Sequence, residues 1–367
     1  MRTIRELGCH LITSRYGTPA EVLTRAQVLD GLGYDHLKVG DHTLSADPSS
    51  PYPNSQVVLA GIGALTKRAM LSTAVTDPFR RHPVEIAHWV ATLDQLTGGR
   101  AALGIGAGEE MNLSPFGIEY HRPWTRLKEA IEVVRRLWEA TPLAPADYSG
   151  EFFSLRGAYL QTRPLRRPGP RVYVGAVGKR TRELTGETAD GWLPMPTETP
   201  ESLREKLRDV EVGAARAGRP LGELDVQALV YTALSDDPDA AYRRVEATAK
   251  GGLVMERSIL KARAGMEVPE DLSVQRMDVT DEARRRRMAE FCAAIPRRVV
   301  EEVTVTGTVE GCVARLERYL DAGATSLIVC NLSEDQDRSF EAYAREVFPY
   351  LRERYGVPGG ARRPTTR

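Results

Sequence analysis

The chain has 367 residues, 42% of them hydrophobic, enough to bury one large α/β core; its 50 Lys plus Arg balance 50 Asp plus Glu, so it carries neither the positive field that draws nucleic acid nor an acidic bias toward cationic partners. No stretch approaches the roughly 20 apolar residues of a membrane span, and the opening MRTIRELGCHLITSRYG lacks the apolar core of a signal peptide. Cys9, Cys292, Cys312 and Cys330 stand far apart with no zinc-like spacing, so the expectation is a soluble, cytoplasmic protein with reduced thiols and no metal, membrane or nucleic-acid partner.

From the N-terminus onward, short apolar runs alternate with amphipathic segments, the pattern of β-α units on a parallel sheet. Strands are expected at 7–12, 36–40, 68–76, 100–107, 171–177, 191–195, 225–234 and 325–332. Helices are opened by Thr18-Pro19, by Pro83 and by Gly307-Thr308, and 126–138 is strongly amphipathic. The helix ends repeat one signature, in DGLGYDHLKV, DQLTGGRAAL and DAGATSLIV: a glycine, then an apolar strand. Eight such strands match a (β/α)8 barrel better than the alternative, an open doubly wound sheet. Insertions follow the fourth and seventh strands. The first, 141–170, is rich in Pro and Gly and reads as a small excursion such as a hairpin. The second, 251–296, is charged, with a helix over 281–291 whose arginines 284–287 form a solvated face. One domain over 1–355 and a flexible tail over 356–367 complete the plan.

In a barrel the chemistry sits at the C-terminal strand ends. The second strand ends in Asp41 and His42. A histidine exchanges protons near neutral pH, while Asp41 suits either a cap or a site role. The fourth ends in LGIGAGEEMN, 103–112. Gly104, Gly106 and Gly108 run G-x-G-x-G, not the G-x-G-x-x-G of a dinucleotide loop, and no lysine follows as in a Walker loop. Glu109 and Glu110 would repel a phosphate there. The glycines are expected to let a flat ring lie against the strand end, with a carboxylate beside it for proton transfer. The fifth strand ends in VGAVGKRT, where Gly175 and Gly178 precede a helix start with Lys179 and Arg180, a better phosphate cradle.

These residues resemble the luciferase-like monooxygenase superfamily, and within it the reductases that use the deazaflavin coenzyme F420. The resemblance is carried by VGDHTL (39–44), by 71–119, by RLKEAIEVVRRLW (126–138), by VYVGAVGKRTRELTGETADGW (172–192) and by 305–329. The stretch 71–119 is similar to methylenetetrahydromethanopterin reductases and phthiodiolone ketoreductases. The resemblance implies coenzyme F420 at the mouth of the barrel, with FMN the alternative cofactor of a monooxygenase. It places Asp41 and His42 near the ring, and Thr73, Ala74 and Thr76 behind it. Gly106, Ala107, Gly108, Glu109 and Asn112 would follow its edge and ribityl chain, and Gly175, Ala176, Val177 and Gly178 its phosphate. It implies a non-prolyl cis peptide at Thr73–Ala74. Hydride would pass between C5 of the deazaflavin and a small organic substrate, with His42 or Glu109 handling the proton. A homodimer, formed through helices such as 83–96, is the expected assembly. Thr43, Leu44, Ser45 and Ala46 offer no aromatic residue where sugar-phosphate dehydrogenases of the group have one, so a sugar phosphate is not the expected substrate. The loop 45–56 and the insertion 251–296 are expected to shape the substrate pocket.

Overall fold

The computed structural model describes residues 3–45, 51–272 and 280–356. Its strands are β1 Glu6–Leu11, β2 His36–Val39, β3 Met70–Thr73, β4 Ala102–Gly106, β5 Ala146–Ser149, β6 Ser154–Ala158, β7 Arg171–Gly175, β8 Gly191–Leu193, β9 Asp225–Leu234, β10 Thr304–Gly307 and β11 Ser326–Asn331. All eight expected strands are among them. They lie in the order β3-β2-β1-β11-β9-β8-β7-β4, parallel at each joint. Bridges at Leu71–Ala101 and Thr76–Ile105 join β3 to β4 and close the barrel.

The local chemistry explains the helix starts and stops between these strands. Thr18 and Thr308 cap their helices by accepting from the amides of Glu21 and Gly311. Gly33 and Gly323 end two helices in the left-handed conformation, at φ 88° and 118°. Strands β5 and β6 form the antiparallel hairpin expected in the first excursion.

Two features depart from expectation. Strand β10 was not foreseen: its four residues follow directly on helix Arg297–Val303, too short a run to show a period, and pair with the upper end of β9 from Thr304–Tyr231 to Gly307–Leu234. The second insertion does not begin at Gly251, because helix Pro238–Met255 runs through that position. Helix Glu282–Ala293 forms as expected, with Arg284, Arg286 and Arg287 paired to Asp281, Glu290 and Asp271 on a face that buries no residue fully. Beyond Gly356 the expected tail lies outside the described residues.

Alternation along each strand sorts the side chains. One set, including Leu7, Leu11, Leu37, Val39, Leu103, Ile105, Val172, Val174 and Val329, packs outward into the helix-covered core. The other set fills the barrel in two layers. The lower layer is polar: Glu6 Oε2 lies 2.7 Å from His36 Nδ1, Ser72 Oγ lies 2.8 Å from His36 Nε2 and 3.0 Å from Lys38 Nζ, and Gln227 donates to both Glu6 and Asp225. Burial opposes charge on Glu6, but His36, Arg171 and Lys38 outweigh it and hold the carboxyl down at about 2. Burial lowers Lys38 to about 7. The upper layer is mostly apolar, with Leu193, Leu229, Ile328 and Cys330 packed against Ala74, Val75 and Tyr231.

Candidate active site

The rear wall of the mouth is a bulge in β3. Between the two bridges to β4, β3 advances five residues, 71 to 76, while β4 advances four, 101 to 105. The extra residue pushes Ala74 and Val75 into the upper layer. A non-prolyl cis peptide does lie here, but at Ala74–Val75, one bond beyond the expected Thr73–Ala74; the bulge shifts the register by that one residue.

The bulge gives the glycines a duty within the fold. A Cβ on Gly104 would sit 2.0 Å from the Thr73 carbonyl oxygen, one on Gly106 2.7 Å from Val75 Cγ2, and one on Gly175 3.1 Å from the same methyl. These glycines therefore make room for the β3 bulge, and it is Ala74 and Val75 that present a surface to the mouth. Gly108 has φ 77°, with Phe79 3.0 Å from where its Cβ would be; it turns the chain so that Glu109 follows. Thr73 Oγ1 donates to the Gly104 carbonyl at 2.6 Å, which ties the bulge to β4.

Asp41, at the end of β2, is 3% exposed. Its carboxylate accepts from Ser55 Oγ at 2.8 Å, Thr76 Oγ1 at 2.7 Å, Arg81 Nη1 at 2.7 Å and Arg80 Nη2 at 3.2 Å. Asp41 and Thr76 thus fasten β2, the exit of β3 and helix Ser55–Leu65 together, a structural tie that the sequence left open. Arg80 also pairs with Asp77 at 2.6 Å.

His42, Glu109 and Asn112 meet across the β2–β4 corner. His42 Nδ1 lies 3.5 Å from Glu109 Oε2 and 2.9 Å from Asn112 Nδ2. Asn112 Oδ1 accepts from the amides of Thr43 and Leu44 at 2.7 and 3.0 Å, fixing the loop that carries His42. Glu109 Oε2 is buried and makes no hydrogen bond among the described residues. The Tyr52 ring stands edge-on to the His42 ring with centroids 5.0 Å apart. Glu110 instead opens the short turn Glu110–Asn112 that brings Asn112 into place.

Sequence reasoning missed two residues here. His10 shares the inward face of β1 with Glu6 and Gly8. Its Nδ1 lies 3.6 Å from Cys330 Sγ, its Nε2 is buried without a partner among the described residues, and burial, reinforced by Lys38 and His42, lowers it to about 4. Tyr52 comes from the loop 45–56; burial, then Glu109 and Asp41, push its phenol upward. The signal for His10 was available: a polar residue on the inward period of an apolar strand. Tyr52 had none, since loop residues follow no period. From the second insertion, of which 273–279 lie outside the described residues, Met288 packs with Leu44 on Met111.

The far side of the mouth is built by β7. Ala176 and Val177 use their carbonyls internally, accepting from Trp192 Nε1 at 3.0 Å and from Arg182 Nη1. Gly178 starts helix Lys179–Thr188 with no side-chain cap and with nothing within 4 Å of where its Cβ would stand. It lines a cavity of about 1030 Å³ with six cationic side chains, among them Lys179, Arg208 and Arg257, against four acidic ones. An open helix N-terminus in a net positive cavity suits a phosphate.

The model of the luciferase-like monooxygenases matches residues 6–326 of the chain. The F420-dependent glucose-6-phosphate dehydrogenase of Beutenbergia cavernae is 30% identical over 92% of this chain and 94% of its own length. The phthiodiolone/phenolphthiodiolone dimycocerosates ketoreductase of Mycobacterium kansasii is 31% identical over 72% of this chain and 73% of its own. A solved F420-dependent secondary alcohol dehydrogenase superposes with a TM-score of 0.80 at 24% identity, covering 96% of this chain and 100% of that one, a likeness of fold.

Proposed function

The chain belongs to the luciferase-like monooxygenase family, and from that premise we propose that it is an oxidoreductase that uses coenzyme F420 to move a hydride to or from a carbon of a small organic substrate. The observation that carries this reading is the composition of the mouth. An acid–imidazole pair, His42 and Glu109 at 3.5 Å, stands on one side of the apolar Ala74–Val75 surface, and an uncapped helix start at Gly178 stands on the other.

The residues fit the cofactor. Ala74 and Val75, with Leu193 and Ile328 beneath, would back the ring, Ala107 and Gly108 would follow its edge, and Gly178 with Lys179 would take the phosphate. When bound, the deazaflavin gives or accepts a hydride at C5. The chain's own part is then electrostatic and protic. His42 and Glu109 hold the substrate oxygen and exchange its proton, and Met111, Leu44 and Met288 help exclude water from above. The two arginines of this corner, Arg80 and Arg81, are already engaged by Asp41 and Asp77, which favours an uncharged carbonyl or alcohol as substrate.

Fluorescence-quenching titration of the protein with F420 and with FMN tests the reading. F420 binding at least about tenfold tighter than FMN, a difference of about 1.4 kcal/mol, is expected; a preference for FMN would favour a monooxygenase instead. No described helix is long and apolar enough to cross a membrane, and a cytoplasmic location belongs to the same proposal. So does a homodimer: Val57, Leu65 and Leu96 are exposed on the adjacent helices Ser55–Leu65 and Pro83–Leu96, and sedimentation at micromolar concentration would return twice the 40.5 kDa chain mass.

A further inference from the structure

Asn112 is 3% exposed and sits at the end of the turn Glu110–Asn112. Its two amide atoms have different duties. The oxygen accepts from two backbone amides, Thr43 at 2.7 Å and Leu44 at 3.0 Å, and two donors on one atom leave no doubt which end of the amide is which. The NH2 end therefore faces His42 Nδ1, at 2.9 Å. An amide nitrogen only donates, so the ring nitrogen opposite it has to accept, and an accepting Nδ1 carries no proton.

We infer that Asn112 is a positioning residue that locks His42 in the tautomer with its proton on Nε2, so that His42 can donate to a substrate oxygen but cannot take a proton from it. The inference rests on the hydride-transfer reading above and divides the work within it. A second proton on Nδ1 would point one N–H at another, which the fixed amide opposes. The proton exchanged with the substrate then belongs to Glu109. In the direction of reduction, as the carbonyl carbon gains the hydride that the reduced cofactor, in its anionic form, would supply, the C=O π pair becomes an O–H bond to the proton leaving Glu109, and Glu109 is left as carboxylate. Oxidation of an alcohol runs the same transfers in reverse, with the Glu109 carboxylate taking the hydroxyl proton as the hydride leaves carbon. His42 Nε2–H holds the oxygen throughout.

The tautomer is readable without substrate or cofactor. In protein labelled with ¹⁵N only in histidine, the His42 signals, identified by their loss in His42→Gln, are expected to show an unprotonated Nδ1 and a protonated Nε2. Asn112→Asp keeps an oxygen for the Thr43 and Leu44 amides but turns an acceptor toward Nδ1. It is expected to move the proton to Nδ1, or to protonate both nitrogens, and to lower kcat by about 100-fold or more. A proton on Nδ1 in the unsubstituted protein overturns the inference, and that spectrum decides even if the variant does not fold. So does a variant whose kcat falls while its His42 tautomer stays unchanged, since the effect would then be structural. Failure of F420 to bind would instead count against the cofactor reading, and leaves the cofactor-free spectrum to decide on Asn112.

Discussion

At the bottom of the barrel, Glu6, His36, Lys38, Ser72, Tyr173 and Asp225 close over one another in a continuous hydrogen-bonded layer, with the Gln227 Oε1 atom alone left over. At the mouth, His10 Nε2 and Glu109 Oε2 are just as hidden from water and have no partner among the described residues. Both regions bury polar side chains in one barrel, so burial alone does not set them apart. What differs is satisfaction. Buried polar groups are almost always paired, and a lone one costs about 1–3 kcal/mol, so these two at the strand tips are where a ligand would complete the bonding.

Substitution should therefore break the two regions differently. The largest effect is expected at the mouth: Glu109→Gln and His42→Ala lower kcat roughly 100- to 10,000-fold, with F420 affinity and urea midpoint nearly unchanged. Steady-state kinetics alongside quenching titrations checks both halves. At the bottom the loss is of stability. Glu6→Gln removes the carboxylate that His36, Arg171 and Gln227 share and is expected to cost about 3–5 kcal/mol in urea unfolding, with the folded enzyme still turning over. The same carboxylate gives the lower layer an acid limit. Its folded value of about 2 lies below the ordinary 4.5, so its contribution is complete above pH 4.5 and is lost as pH falls toward 2. Thermal melts between pH 5 and 2 should show this limb in the parent and a shallower one in Glu6→Gln.

Two glycines sharpen the contrast on a smaller scale. Gly104→Ala meets the Thr73 carbonyl oxygen at 2.0 Å and has to displace the bulge, for an expected loss of about 1–3 kcal/mol together with weaker F420 binding. Gly178→Ala meets nothing within 4 Å, so its unfolding free energy should stay within about 0.5 kcal/mol. Paired chemical denaturation curves would separate the two cases.

Much of this was legible in the order of residues. The strands announced themselves through short apolar runs, and the helix ends through glycines 33 and 323, because both signals are local. The meeting of His42 with Glu109 followed once a barrel was assumed, since the C-terminal strand tips, here those of β2 and β4 on either side of β3, converge on one mouth. What could not be read depends on register and on distant contacts. The bulge in β3 is a count of residues relative to β4, so the cis bond was placed one position early and the packing of the β4 glycines against Thr73 and Val75 could not be read. The pairing of Asp41 could not be read either, because Arg80 and Arg81 reach it from some 40 residues away. Tyr52 enters on a loop, and β10 is four residues long with no period to detect.

The central claim is that the unsatisfied mouth, and not the closed bottom of the same barrel, receives the deazaflavin. Amide hydrogen exchange with and without F420, resolved by mass spectrometry, tests it most directly. Protection is predicted in peptides covering 106–112, 74–76 and 176–180, with none in the lower ends of β1, β2 and β9. Protection at the bottom with the tips unchanged, or no change anywhere in the barrel, would contradict the account.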